Sequence, residues 1–177
     1  MRYISTRGEA RALDFAGVLL AGLASDGGLF VPAHWPPLSP ARLAAFSGRA
    51  YADVAAEVMH PFVGSSVRPA VFRRLVAEAA ATFDHKAVAP LRELAPNLWL
   101  LELFHGPTLA FKDVALQLLA RLFDQALGRH GRRATIIGAT SGDTGAAAIA
   151  ACRGRQNLDI FVLHPAGRVS AVQRRQM

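Results

Sequence analysis

The spacing of apolar positions changes character partway along this chain. Up to about residue 90, apolar residues recur three and four apart, as at Val54 and Val58, then Val71, Leu75 and Val76. That period is helical. It predicts helices at 41–47, 50–60 and 68–82, after a short buried helix at 13–23. Ser39 followed by Pro40 reads as an N-cap with proline at the first helical position. Ser25 to Gly28 reads as a turn, and Leu29 to Val31 as a short extended piece stopped by Pro32.

From about residue 97, short apolar runs alternate with amphipathic helical runs. The pattern predicts strands at 98–104, 134–138 and 158–163, with helices at 111–127 and 143–152. Short apolar strands separated by helices predict a parallel sheet covered on both faces. The expected fold class is therefore α/β. A mainly helical domain over residues 1–90 leads into the start of a doubly wound, mostly parallel sheet over 91–177. Ser170 then caps a helix that barely begins. Three strands with two full helices make such a sheet incomplete, which predicts that the sequence is a fragment of a longer protein.

Composition narrows the class. The 177 residues are 52% hydrophobic and 19% charged, as expected of a globular protein. No apolar run approaches the roughly 18 residues of a membrane span. Residues 1–8 lack an apolar signal core, and the single cysteine, Cys152, fits a reducing compartment. A cytoplasmic location is the expectation. The net charge is +7, but the arginines are scattered and none of the adjacent pairs is interleaved with aromatics. Nucleic-acid binders cluster their charge, so solvated faces are the better reading.

Lysine is rare here, with two lysines, Lys86 and Lys112, against eighteen arginines. Lys112 follows an apolar strand, a Gly106-Pro107 turn and Thr108 to Phe111, in or beside the first turn of a helix. A cation there opposes the helix dipole. An amine so placed has a reason to lose its proton, and a neutral amine is a nucleophile that can form a Schiff base. The competing reading is a solvated surface lysine.

The second motif is Gly138-Ala139-Thr140-Ser141-Gly142-Asp143-Thr144-Gly145. A strand runs through small and hydroxyl-bearing residues into an alanine-rich helix. Free N–H groups at that helix start can hold a carboxylate or a phosphate, with Thr140, Ser141 and Thr144 adding hydroxyls. The competing reading makes Thr140 or Ser141 an N-cap and Gly142 a turn residue. The spacing is neither a P-loop nor a dinucleotide fingerprint. Both motifs fall at carboxyl ends of strands, where such sheets bind ligands. His105 could contact a ligand or simply bond to backbone. The remaining histidines are dispersed without metal-ligand spacing, Lys86 reads as solvated, and Cys152 reads as buried and inert.

Three stretches of the chain resemble the threonine synthases, pyridoxal-phosphate enzymes of the fold type II group related to the tryptophan synthase β-subunit. They are residues 101–113, residues 139–145, and residues 3–7 with 22–32 near the start. The resemblance maps the family's Schiff-base lysine onto Lys112. It makes Thr140, Ser141, Gly142 and Thr144 the loop that holds the substrate carboxylate. It puts Asp143 where related enzymes have an Asn bonded to the phenolic oxygen of the cofactor, although an ionised Asp cannot donate a hydrogen bond. It implies pyridoxal 5'-phosphate as cofactor, no metal, and conversion of O-phospho-L-homoserine and water to L-threonine and phosphate. A relative that releases phosphate but forms a 2-oxo acid is the alternative, as is an inactive fragment. The glycine-rich loop that binds the cofactor phosphate in the family has no counterpart in these residues.

Overall fold

The helical pattern of the first part of the chain becomes four helices beside a two-stranded ribbon in the computed structural model, which describes residues 1–140 and 142–177. The chain divides into two units, Met1–Val76 and Ala77–Met177.

In the first unit, β1 (Tyr3–Ser5) pairs antiparallel with β2 (Phe30–Pro32), with Tyr3 opposite Pro32. Asp26 fastens the turn between them. Its carboxylate accepts bonds from the Ser5 hydroxyl (2.8 Å) and from the N–H groups of Glu9 (3.1 Å), Ala10 (2.9 Å) and Gly28 (2.9 Å). Burial pushes that carboxyl up, but these four donors outweigh it and leave Asp26 at about 2. The turn read at 25–28 is thus a polar knot. Helix α1 (Phe15–Ala21) starts at Asp14, whose side chain accepts from Gly17 N–H. Helix α2 (Pro40–Ala44) starts at Ser39, which accepts from Arg42 N–H at 3.2 Å, with Pro40 at the first position as the sequence predicts. Helix α3 (Tyr51–Val63) and helix α4 (Pro69–Ala80) supply most of the core. Ala56, Val63, Val67, Phe72, Leu75 and Val76 are buried; of the positions that carry the three-and-four spacing, Leu75 and Val76 are among them, while Val54, Val58 and Val71 are half-buried. Tyr3 is buried too, and its hydroxyl donates to the Phe62 carbonyl at 2.9 Å.

The second unit corrects one expectation. The strand read at 98–104 stops at Leu101 and does not join a parallel sheet. As β4 (Leu98–Leu101) it pairs antiparallel with β3 (Leu91–Ala95), a strand the sequence reading missed. The reason is local. Only Pro96 and Asn97 separate the two runs, and Asn97 has a φ of 62°. Asparagine tolerates that left-handed region, which a tight hairpin needs. A parallel neighbour would need a crossover of a dozen residues or more.

The remaining alternation follows the sequence. Helix α5 (Asp113–Arg129) leads to β5 (Ala134–Ala139), α6 (Asp143–Cys152), β6 (Leu158–Leu163) and α7 (Ala171–Gln176). Strands β5 and β6 pair in parallel, Ala134 with Leu158 through Ala139 with Leu163. Gly145 of α6 lies against Val162, close enough that a side chain at 145 would displace it. The opposite face, carrying Ile137, Phe161 and Leu163, is exposed. The described helices therefore cover one face of this pair, where both were expected to be covered. Ser170 forms a full capping box with Gln173 at the start of α7, so its predicted role as a cap holds. Among the described residues no helix is long and apolar enough to cross a membrane.

Candidate active site

Lys112 occupies the N-cap position of α5, one residue before the first helical residue. Its carbonyl accepts the helix's first bond from Leu116 N–H at 2.9 Å. The amine stands 4.2 Å from the centre of the Phe111 ring. That ring face attracts a cation and offsets part of the dipole conflict read from the sequence. Phe111 is itself exposed, so the amine and its aromatic neighbour sit at a surface reachable by a ligand.

The turn before Lys112 is held at both ends. At its start, His105 is clamped by two carboxylates. Nδ1 is 2.8 Å from Asp84 Oδ1, and Nε2 is 2.8 Å from Glu102 Oε2. The bond to Glu102 raises the His105 pKa, burial opposes this, and the bond to Asp84 adds to the rise. The His105 ring stacks on Phe104, and its carbonyl accepts from Asp84 N–H at 3.0 Å. The His105 ring thus bonds side-chain carboxylates, where the sequence suggested backbone or a ligand. At the other end stands Asp113, fully buried, with Oδ2 accepting from both the N–H (2.8 Å) and the hydroxyl (2.9 Å) of Thr108. Between these anchors Leu109 adopts a φ of 62°. A leucine in that region costs on the order of 1–3 kcal/mol and persists where its surroundings fix it.

The loop after β5 begins at Thr140, whose N–H donates to the Leu163 carbonyl at 3.0 Å. Its hydroxyl accepts from Gly142 N–H at a long 3.4 Å. The N-cap of α6 is Gly142, and no side-chain capping bond is present there among the described residues. Thr140 is therefore not the cap. The first intrahelical bond runs from Ala146 N–H to the Gly142 carbonyl, which leaves the N–H groups of Asp143, Thr144 and Gly145 without partners inside the helix. Asp143 and Thr144 are exposed and Gly142 is buried. Ser141 lies outside the described residues.

These two loops meet through α7. Gln176 donates its side-chain amide to the Thr108 carbonyl at 3.2 Å. The Gln173 amide fills the space beside Gly142, where an added side chain would collide with it. Because α7 follows the carboxyl end of β6, the Lys112 turn and the Gly142 loop both lie at that end of the strands, where the sequence reading placed them. The reading missed Asp113, Thr108, Gln173 and Gln176. Only Gln173 carried a local signal, the Ser-x-x-Gln spacing of the capping box.

Cys152 is buried, and burial pushes its thiol up. Lys86 is exposed. Among the described residues no group of three or more His, Cys, Asp or Glu stands close enough to hold a metal ion.

Residues 2–80 match a family model described as the threonine synthase N terminus. A threonine synthase from Pseudomonas aeruginosa is 59% identical over 177 residues, covering 100% of this chain and 38% of its own length. A threonine synthase from Schizosaccharomyces pombe is 43% identical over 184 residues, covering 99% of this chain and 36% of its own. A crystal structure of PLP-bound threonine synthase from Brucella melitensis superposes with a TM-score of 0.98 at 57% identity, covering 100% of this chain and 38% of the other. The Escherichia coli threonine synthase structure gives 0.84 at 30% identity, covering 99% and 40%. The chain thus spans about two-fifths of the length of the relatives it matches.

Proposed function

We propose that this chain, of which residues 2–80 match the threonine synthase N terminus and which is 59% identical over 177 residues to a threonine synthase, supplies the amine-bearing part of a pyridoxal-phosphate enzyme. The enzyme is a cytoplasmic lyase that converts O-phospho-L-homoserine and water to L-threonine and phosphate. Residues 1–90 are read as its N-terminal domain and 91–177 as the start of its cofactor-binding domain.

The observation that carries this reading is the shared position of the Lys112 turn and the start of α6, joined through Gln173 and Gln176. The residues fit the cofactor. A primary amine sits on a fixed turn beside an exposed aromatic ring, at the strand end that also presents free N–H groups. Pyridoxal phosphate, when bound, supplies an electron sink for charge developing at the substrate carbons.

The chain's own residues do the rest. Lys112 Nζ would be the point that holds the cofactor, and when free the Lys112 amine would move protons at substrate Cα and Cβ. The N–H groups from Gly142 to Thr144, with the hydroxyls of Thr140, Ser141 and Thr144, hold the substrate carboxylate. Holding it fixes which substrate bonds are positioned to break. Asp143 stands first in α6 and would be the residue nearest the phenolic oxygen of the cofactor; ionised, it could only accept a hydrogen bond there.

Lys112→Ala in the full-length protein should abolish turnover and the cofactor's covalent absorbance band. Borohydride treatment of the wild type should leave the cofactor on the peptide containing Lys112. A stable link at Lys86 instead would refute the assignment. The alternative reading is a phosphate-releasing relative that forms a 2-oxo acid with the same amine and loop. Product analysis separates the two, since one yields threonine and the other a 2-oxo acid with ammonia.

A further inference from the structure

The turn that carries Lys112 is wound around a single buried carboxylate. Asp113 has no exposed surface. Its Oδ2 takes both donors of Thr108, the N–H at 2.8 Å and the hydroxyl at 2.9 Å. Its own N–H donates to the Ala110 carbonyl at 3.0 Å, and Leu109 N–H donates to the Gly106 carbonyl at 3.1 Å. Gly106 presses against the Asp113 side chain so closely that any larger residue would collide with it. Gly106 and Thr108 are thus both set against the Asp113 side chain, and two backbone bonds close the rest of the turn.

This arrangement is costly. Asp113 Oδ1 is buried with no hydrogen-bond partner among the described residues, and half-satisfied buried carboxylates are unfavourable. The position at the start of α5 recovers part of that cost through the helix dipole. Leu109 in the left-handed region adds strain to the same turn. Cost concentrated on one turn, directly beside Lys112, points to a positional requirement.

We propose that Asp113 is the positioning residue for Lys112: its carboxylate fixes the 106–112 turn, and through it the direction in which the amine leaves the N-cap of α5. This rests on Lys112 as the attachment amine. The carboxylate acts through Thr108 and the backbone, and it touches neither substrate nor cofactor.

The test measures how fast pyridoxal phosphate becomes linked to Lys112 in the full-length apoprotein, with borohydride trapping and peptide mass to place the link, and with the melting midpoint recorded for each variant. A misplacement of about 1 Å can cost up to about a hundredfold in rate. Asp113→Ala should slow linkage about tenfold or more at temperatures where the variant is fully folded. Asp113→Asn keeps the shape and an acceptor for Thr108, and should link within about threefold of wild type. Should Asp113→Ala fail to fold, Thr108→Val and Thr108→Ser carry the test. Valine loses the hydroxyl bond and should slow linkage, while serine should restore it. A purely structural role would lower the melting midpoint of Asp113→Ala or Thr108→Val with the linkage rate of the folded fraction unchanged, and would overturn the proposal. If wild type links at Lys86, the Lys112 reading fails and this proposal with it. A wild-type link at Lys112 with an unchanged rate in Asp113→Ala removes only the positioning role.

Discussion

His105 faces a carboxylate from each ring nitrogen, Asp84 at Nδ1 and Glu102 at Nε2. A neutral imidazole can donate from only one of them, whereas the imidazolium satisfies both. The raised pKa of His105 follows from that geometry, with the Glu102 bond the largest cause. The sign for stability is definite. A group whose folded pKa lies above its unfolded value stabilises fully below the unfolded value, about 6.5 for histidine. That contribution is lost as pH rises through the raised folded value. Denaturant midpoints of the wild type should therefore fall between pH 6 and pH 8.5, and His105→Gln should flatten the dependence over that window. An equal slope in both proteins would show that the clamp does not couple to folding. His105 also marks a limit of sequence reading at this scale. Its position before the Lys112 turn was legible, but Asp84 is 21 residues distant, and no spacing rule brings the two together. Lys112 was legible because its residue type was rare and its place on the helix was wrong for a cation. Asp113 was not, because a buried acid and an ordinary first-turn acid look the same in sequence.

At the scale of elements, regular local pattern was read well and contacts across the chain were not. The bounds of α6 and β6 and the cap of α7 follow from alanine-rich and apolar runs and from Ser170. The β3–β4 hairpin was missed because Pro96-Asn97 was passed over as a turn and β3 carries charges at Arg92 and Glu93. The clearest element-level link is α7, where Gln176 donates to the carbonyl of Thr108, 68 residues away. That carbonyl belongs to the residue whose N–H and hydroxyl hold Asp113, so α7 steadies the Lys112 turn from outside. Removing one such bond costs about 1 kcal/mol, or about fivefold in a local opening equilibrium. Gln176→Ala should accordingly raise amide hydrogen exchange at Thr108 and Leu109 by about fivefold, with exchange in the middle of α5 unchanged. An unchanged rate at Thr108 would mean the turn is held by Asp113 alone.

For the whole molecule, the distribution of apolar surface is the decisive quantity. The second unit exposes Ile137, Phe161 and Leu163 on one face of β5–β6, and Leu91, Leu94, Leu98, Trp99, Leu100 and Leu101 along the hairpin. Contiguous apolar surface on this scale marks a place where something else packs or where chains associate. The 177 residues match about two-fifths of the length of their relatives. For this polypeptide on its own, physical chemistry gives a direct expectation: it should bind an apolar fluorescent dye strongly. Ile137→Thr combined with Phe161→Thr should then cut that fluorescence by about half. Threonine keeps the β-branched preference for a strand, and both positions point away from α6, so the substitution should shift stability by no more than about 0.5 kcal/mol. Paired measurements of dye fluorescence and melting midpoint separate the possibilities. Reduced fluorescence with an unmoved midpoint identifies β5–β6 as an uncovered face of a folded unit. A midpoint that drops with the substitutions would mean that Ile137 and Phe161 are packed in solution, and unchanged fluorescence would assign the dye to the hairpin instead.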